Sequence, residues 1–95
     1  MDLNDLAQAH YKWVEEMGWH GKATPLELLA LIASEVGEAV NECRGETPTD
    51  KLPSELADIM LRTMDMALVM GYDLEAEILS KIEKNRQRGN KGRVI

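Results

Sequence analysis

The apolar residues of this chain recur at spacings of three and four along four separate stretches. Residues at that spacing lie along one face of an α-helix, so each stretch predicts a helix with one apolar stripe. The first stripe, which stops at a glycine, consists of Leu3, Leu6, His10, Trp13 and Met17. No stretch shows the sustained alternation of β-branched residues that is typical of strands. The pattern predicts an all-α fold.

The second predicted helix has a sharply marked beginning. The run Thr24-Pro25-Leu26-Glu27 is typical of an N-cap threonine, a proline in the first helical position and a glutamate that completes a capping box. From there an apolar stripe continues from Leu28 towards Cys43. We therefore predict that this helix begins directly after Thr24.

A polar connection over residues 44–50 separates the second helix from the third. Either Asp50 or Ser54 is suited to cap the third helix, whose apolar positions continue as far as Gly71, a typical C-terminal stop. Asp73 then caps a fourth helix. Residues 88–95 are basic and contain two glycines, and we expect them to form a flexible tail.

The length of 95 residues predicts one domain over residues 1–95. A chain this short buries a small fraction of its surface, although 44% of its residues are hydrophobic. We therefore expect a four-to-five-helix bundle that is completed by oligomerisation, with the helices of two copies forming one core.

The formal net charge of −6 argues against a nucleic-acid or anionic membrane partner. No apolar run approaches the ~18 residues that span a bilayer, and the first residues do not resemble a secretory signal. The single Cys43 cannot form an internal disulfide. These features predict a cytoplasmic protein.

Two pairs of acidic residues carry the candidate chemistry. Glu35 and Glu38 lie three apart on the second predicted helix, and Glu55 and Asp58 lie three apart on the third. Residues at that spacing are neighbours on one helix face, and helical periodicity places both pairs on the sides that carry the apolar stripes. Asp58 and Arg62 are also spaced for an ion pair along the third helix.

Carboxylates crowded against an apolar core are unfavourable unless a cation neutralises them. Four carboxylates suit Mg²⁺ or Mn²⁺ better than zinc. The alternative is that both pairs lie on solvated helix faces, which is common in a chain with 17 acidic residues. Because both acidic pairs, on consecutive predicted helices, lie on the side of the helix that carries the apolar stripe, the sequence favours a metal site.

The order of these motifs resembles a known family, the all-α nucleoside triphosphate pyrophosphohydrolases, and specifically its MazG-like branch. The resemblance rests on Ser34-Glu35-Val36-Gly37-Glu38-Ala39, on Glu55-Leu56-Ala57-Asp58-Ile59, and on the basic run Lys81-Ile82-Glu83-Lys84-Asn85-Arg86-Gln87-Arg88. These motifs, in this order, cover the chain from about residue 19 to residue 88.

The resemblance implies a helical bundle that assembles as a homodimer or homotetramer and binds Mg²⁺ through Glu35, Glu38, Glu55 and Asp58. It also implies cleavage of nucleoside triphosphates, often deoxy or noncanonical ones, to a monophosphate and pyrophosphate. Members of the family commonly remove unwanted nucleotides from the cellular pool. Glu38 is a candidate for the residue that accepts the proton of the attacking water.

The remaining candidate residues would bind the two ends of a nucleotide. Lys81, Lys84 and Arg88 share a helix face and are candidates for the phosphates, and the resemblance adds Asn85. The alternative is a solvated basic tail that stabilises a helix C-terminus. By resemblance, His10 and Trp19 are candidates for the base, although either residue could instead belong to the core.

Two other functions remain open at the level of sequence. A phosphoribosyl-ATP pyrophosphohydrolase shares the helical acidic arrangement and differs in its substrate. A small helical interaction module would use the acidic residues as a surface for a basic partner, and it would have no specific divalent metal site.

Overall fold

The computed structural model of the chain describes residues 2–17 and 23–89. Within these ranges the backbone forms four α-helices and no strand, so the all-α prediction is confirmed. The helices are α1 (Leu3–Glu16), α2 (Pro25–Asn41), α3 (Leu52–Met70) and α4 (Leu74–Arg88). Residues 90–95 of the expected basic tail lie outside the described residues.

Local capping interactions explain where three of the helices begin. Asp2 caps α1, and Asp73 caps α4 by accepting a hydrogen bond of 3.0 Å from the amide of Ala76. The predicted capping box of α2 is present. Thr24 Oγ1 accepts from the Glu27 amide at 3.1 Å, and the Thr24 amide donates to Glu27 Oε1 at 3.0 Å. These bonds satisfy amides that have no partner within the helix.

The third helix begins differently from the prediction. Lys51 occupies the N-cap position without a side-chain cap, so neither Asp50 nor Ser54 has the predicted role. The preceding turn is closed instead by Thr49, whose amide donates to the Glu42 carbonyl at 2.9 Å and whose hydroxyl bonds the Glu42 carboxylate. These bonds join the end of α2 to the residues that enter α3. The two helices pack against each other as a helical hairpin.

The helix α3 is the centre of the fold and packs against both α2 and α1, whereas α4 makes a small contact with α1. Met64 of α3 is the largest fully buried side chain, at 2% exposure. The other buried apolar residues come from the three packed helices and are Ala7, Val14, Leu28, Ala39 and Ala67. No residue of α4 is buried.

Much of the apolar surface of the isolated chain remains uncovered. Leu26 is 76% exposed, Leu79 is 62% exposed, and Ile82 is 47% exposed. The radius of gyration of 15.5 Å also exceeds the value of about 12 Å that is expected for a compact domain of this length. No helix in the described ranges is long and apolar enough to cross a membrane.

Candidate metal centre

Three of the four predicted carboxylates converge. One oxygen each from Glu35 of α2 and from Glu55 and Asp58 of α3 lies within 4.8 Å of the other two. The hairpin produces this convergence because it places the second half of α2 against the first half of α3. All three side chains are only partly exposed.

The fourth carboxylate, Glu38, lies beside this cluster and is more exposed. It lines a pocket together with Glu35 and Asp58, and it is near enough to Glu55 to affect the pKa of that group. The structure therefore brings the four predicted acids to one place, with three in close convergence and Glu38 at their side.

Glu55 has the most perturbed environment of the four. Its Oε2 is buried and has no hydrogen-bond partner in the described part of the chain. Burial raises the pKa of the Glu55 carboxyl, and the neighbouring Glu38, Asp58 and Glu35 raise it further. A buried carboxylate oxygen without a partner, next to three other carboxylates, is an arrangement that a bound cation would stabilise. The donors are all hard oxygens, which fit Mg²⁺ or Mn²⁺.

A cation of the chain itself already lies at the edge of the cluster. Arg62 of α3 reaches across to α2, where its Nε lies 3.4 Å from Glu35 Oε1. The Glu35 side chain is 15% exposed and that of Arg62 is 45% exposed. The sequence had suggested Asp58, on the same helix, as the ion-pair partner of Arg62. The contact with Glu35 depends on the packing of two helices and carries no signal in the sequence.

Glu35, Glu38 and Asp58 line a pocket of about 370 Å³. Leu28 and Leu31 precede Glu35 on α2, and Asp65 follows Asp58 on α3. Since the two helices of a hairpin run in opposite directions, these three residues lie further from the hairpin turn than Glu35 and Asp58 do. His10 and Val14 of α1 also line the pocket, and Asp65 is 8% exposed. Sequence reasoning did not identify Asp65 as a pocket residue.

The structure places the predicted substrate-binding residues in different locations. His10 lines the pocket, whereas Trp19 lies outside the described residues. The predicted phosphate-binding residues are exposed on α4, and none is among the described residues that line the pocket; they are Lys81, Lys84, Asn85 and Arg88.

A helical hairpin that brings two acid pairs together beside one pocket is the arrangement of a helical protein with a candidate carboxylate metal site. The sequence comparison identifies the family. Residues 23–92 match the model of the MazG nucleotide pyrophosphohydrolase domain, and the chain belongs to that family. The resemblance found in the sequence motifs is thereby confirmed.

Curated relatives are similar to the chain at lower identity. It is 26% identical to mouse dCTP pyrophosphatase 1 and 28% identical to human dCTP pyrophosphatase 1, each over 98 aligned residues. These alignments cover 90% of the chain. The chain spans 58% of the length of these relatives.

Proposed function

We propose that this chain hydrolyses nucleoside triphosphates to a nucleoside monophosphate and pyrophosphate. The observation that carries the proposal is the convergence of Glu35, Glu55 and Asp58 within 4.8 Å, with the partnerless Glu55 Oε2 among them. Membership of the family supports the class of reaction. Glu35, Glu55 and Asp58 would hold Mg²⁺, or Mn²⁺ in its place, with Glu38 beside them as the general base.

The pocket offers a separate environment for each end of the substrate. The triphosphate would lie at the end of the pocket nearer the hairpin turn, beside Glu35, Glu38 and Asp58, where bound Mg²⁺ would offset its charge and increase the acidity of the attacking water. The base lies at the other end, between the apolar side chains of Leu28 and Leu31 and beside His10. Trp19 is proposed as a second base-binding residue on the strength of the motif resemblance alone.

The protein residues perform one proton transfer in this reaction. Water attacks the α-phosphorus, and the bond from that phosphorus to the bridging oxygen breaks, so that pyrophosphate leaves. Glu38 accepts the proton of the water, because it is the most exposed of the four carboxylates and lies beside the cluster. Glu35, Glu55 and Asp58 would hold the metal as carboxylates and take no part in this proton transfer.

We propose further that the active form is a homodimer or homotetramer. The uncovered apolar residues and the absence of any buried residue in α4 support this. A second copy packed on α4 would bury Ile78, Leu79 and Ile82. It could also bring Lys81, Lys84, Asn85 and Arg88 to the phosphate end of a pocket, which they do not line in the single chain.

The names of the relatives make dCTP the first substrate to test. The physiological role that we propose is the removal of unwanted nucleotides from the cellular pool. It places the protein in the cytoplasm, where the single exposed thiol of Cys43 suits a reducing compartment.

The test is a screen of canonical and modified nucleoside triphosphates, with phosphoribosyl-ATP included, that detects monophosphate and pyrophosphate in the presence of Mg²⁺. Glu38→Gln should lower kcat by about 10²–10⁴-fold, since it removes the general base while keeping the shape of the side chain. Glu46→Gln, in the exposed connection after α2, is the matched control and should retain full activity.

Two results would contradict the proposal. Turnover restricted to phosphoribosyl-ATP would assign the site to that related reaction. A wild-type protein that hydrolyses none of the compounds and shows no heat of Mg²⁺ binding would favour a helical interaction module.

A further inference from the structure

We propose that Arg62 is a phosphate-binding residue that pairs with Glu35 in the absence of metal and moves to the triphosphate when metal occupies the carboxylates. The proposal rests on the proposed function for the identity of the ligand. It concerns a residue that neither the acidic motifs nor the basic run of α4 includes.

The first argument is position. Arg62 follows Asp58 by one helical turn on α3, so both side chains lie on the same helix face. It lines the pocket that contains Glu35, Glu38 and Asp58. Its side chain is 45% exposed and its contact with Glu35 is 3.4 Å long, so the guanidinium is neither buried nor tightly held.

The second argument is charge. Glu35, Glu38, Asp58 and Asp65 all line the pocket, and Arg62 is the one lysine or arginine among the described residues that do so. A triphosphate needs fixed positive charge in addition to the metal ions, because its charge develops on oxygens that several donors must contact. The cations of α4, which the sequence favoured for this role, do not line the pocket of their own chain.

The third argument is competition for one carboxylate. Glu35 is a member of the converging triplet and is also the partner of Arg62. A divalent cation bound to Glu35 repels the guanidinium from that carboxylate. The guanidinium has five N–H donors, and the contact with Glu35 uses only Nε. Phosphate oxygens at the same end of the pocket accept such donors in pairs, which makes them the natural second partner.

If Arg62 exchanges partners in this way, it should have opposite effects on two binding affinities. Arg62 should weaken the binding of Mg²⁺ alone, because it competes for Glu35. It should strengthen the binding of a triphosphate in the presence of Mg²⁺. A residue that only positions Glu35 would instead strengthen the binding of Mg²⁺, and a residue without a role would change neither affinity.

The experiment is calorimetric titration of the full chain with MgCl₂ alone, and then with inorganic tripolyphosphate at saturating Mg²⁺. Tripolyphosphate has no base, so it reports phosphate contacts only. For Arg62→Ala we expect Mg²⁺ to bind about two- to fivefold more tightly, the range for an exposed ion pair. We expect tripolyphosphate to bind at least about tenfold more weakly, the effect of losing a charged hydrogen bond.

Two further variants make the result specific. Arg62→Lys keeps the charge and loses the paired donors, so its affinity for tripolyphosphate should lie between those of the wild type and Arg62→Ala. Arg86→Ala removes another exposed ion-paired arginine, which contacts Glu83 at 3.6 Å on α4, and should match the wild type in both titrations. Circular dichroism of each variant checks that the helices are retained.

Weaker Mg²⁺ binding by Arg62→Ala would overturn the proposal, because Arg62 would then be a positioning residue for Glu35. Unchanged tripolyphosphate binding would overturn it as well. A hydrolysis assay of the wild type separates this outcome from the fate of the proposed function. If the wild type hydrolyses triphosphates but the two changes in affinity are not seen, only the role proposed for Arg62 is refuted. If both changes are seen but no hydrolysis occurs, the role of Arg62 in binding phosphate stands and the proposed reaction is refuted.

Discussion

Replacing Asp58 with asparagine should make the metal-free protein more stable. The oxygens of Asp58 and Glu35 lie within 4.8 Å of each other. Two unit charges at that distance repel by about 0.9 kcal/mol in water, and by more where the solvent is partly excluded. A domain of this length has an unfolding entropy of about 0.2 kcal/mol/K, so relief of the repulsion should raise Tm by about 4 °C.

Magnesium should reverse the order of the two proteins. A ligand that binds only the folded state, at a free concentration of one hundred times its Kd, stabilises that state by about 2.7 kcal/mol. For the wild type this corresponds to an increase in Tm of about 13 °C. Asp58→Asn keeps the shape of the side chain but removes a charged ligand, so its Tm should change little on addition of Mg²⁺.

Thermal unfolding in EDTA and in MgCl₂, at one fixed protein concentration, measures both effects. Asp50→Asn is the matched control, because Asp50 is exposed in the turn before α3 and lies outside the cluster. A lower Tm for Asp58→Asn than for the wild type in EDTA would show that the Asp58 carboxylate stabilises the metal-free fold. An unchanged wild-type Tm at saturating Mg²⁺ would refute the metal site itself.

Three more outcomes are expected. Sedimentation at micromolar concentration should show a dimer or tetramer, and a folded monomer would contradict the proposed assembly. In EDTA, the free energy of unfolding should fall as pH rises from about 4.3 through the raised pKa of Glu55, because the Glu55 carboxyl binds its proton more tightly in the folded state than in the unfolded chain. Glu55→Gln should flatten this part of the pH profile. Trp19→Ala should change the relative kcat/KM of four deoxynucleoside triphosphates, whereas Lys84→Ala should lower all four kcat/KM values by the same factor. If Trp19→Ala also lowers all four values by the same factor, Trp19 does not bind the base.

The parts of the fold that follow local rules could be predicted from the sequence. The beginning of α2 depends on bonds between Thr24 and Glu27, which are three residues apart. The end of α3 depends on Gly71, whose φ of 76° is a left-handed conformation that favours glycine. The cap of α3 could not be predicted in the same way, because the turn before it is closed by Thr49 and Glu42, which are seven residues apart.

In the candidate site, too, the arrangement within one helix could be predicted from the sequence, and the contacts between helices could not. Helical periodicity could place Glu35 with Glu38, and Glu55 with Asp58, because each pair lies on one helix. The convergence of the two pairs and the contact of Arg62 with Glu35 depend on how α2 packs on α3. Periodicity identifies which side chains share a face and contains no information about what that face meets. For this reason the sequence favoured the cations of α4 for the phosphates, although they do not line the pocket of the single chain.

The attachment of α4 has a mechanical consequence. The helix is fixed at its first turn, where the turn at Gly71 leads into it and Asn4 Nδ2 of α1 donates to Asp73 Oδ1 at 3.1 Å. Beyond that point none of its residues is buried. From Leu74 to Arg88 the helix is about 21 Å long, so a tilt of about 10° at its fixed end displaces Arg88 by about 4 Å. That displacement is larger than the length of a hydrogen bond, so it decides whether Arg88 can reach a given partner. The surface that packs against the apolar side of α4 therefore determines the position of the basic residues at the end of the helix.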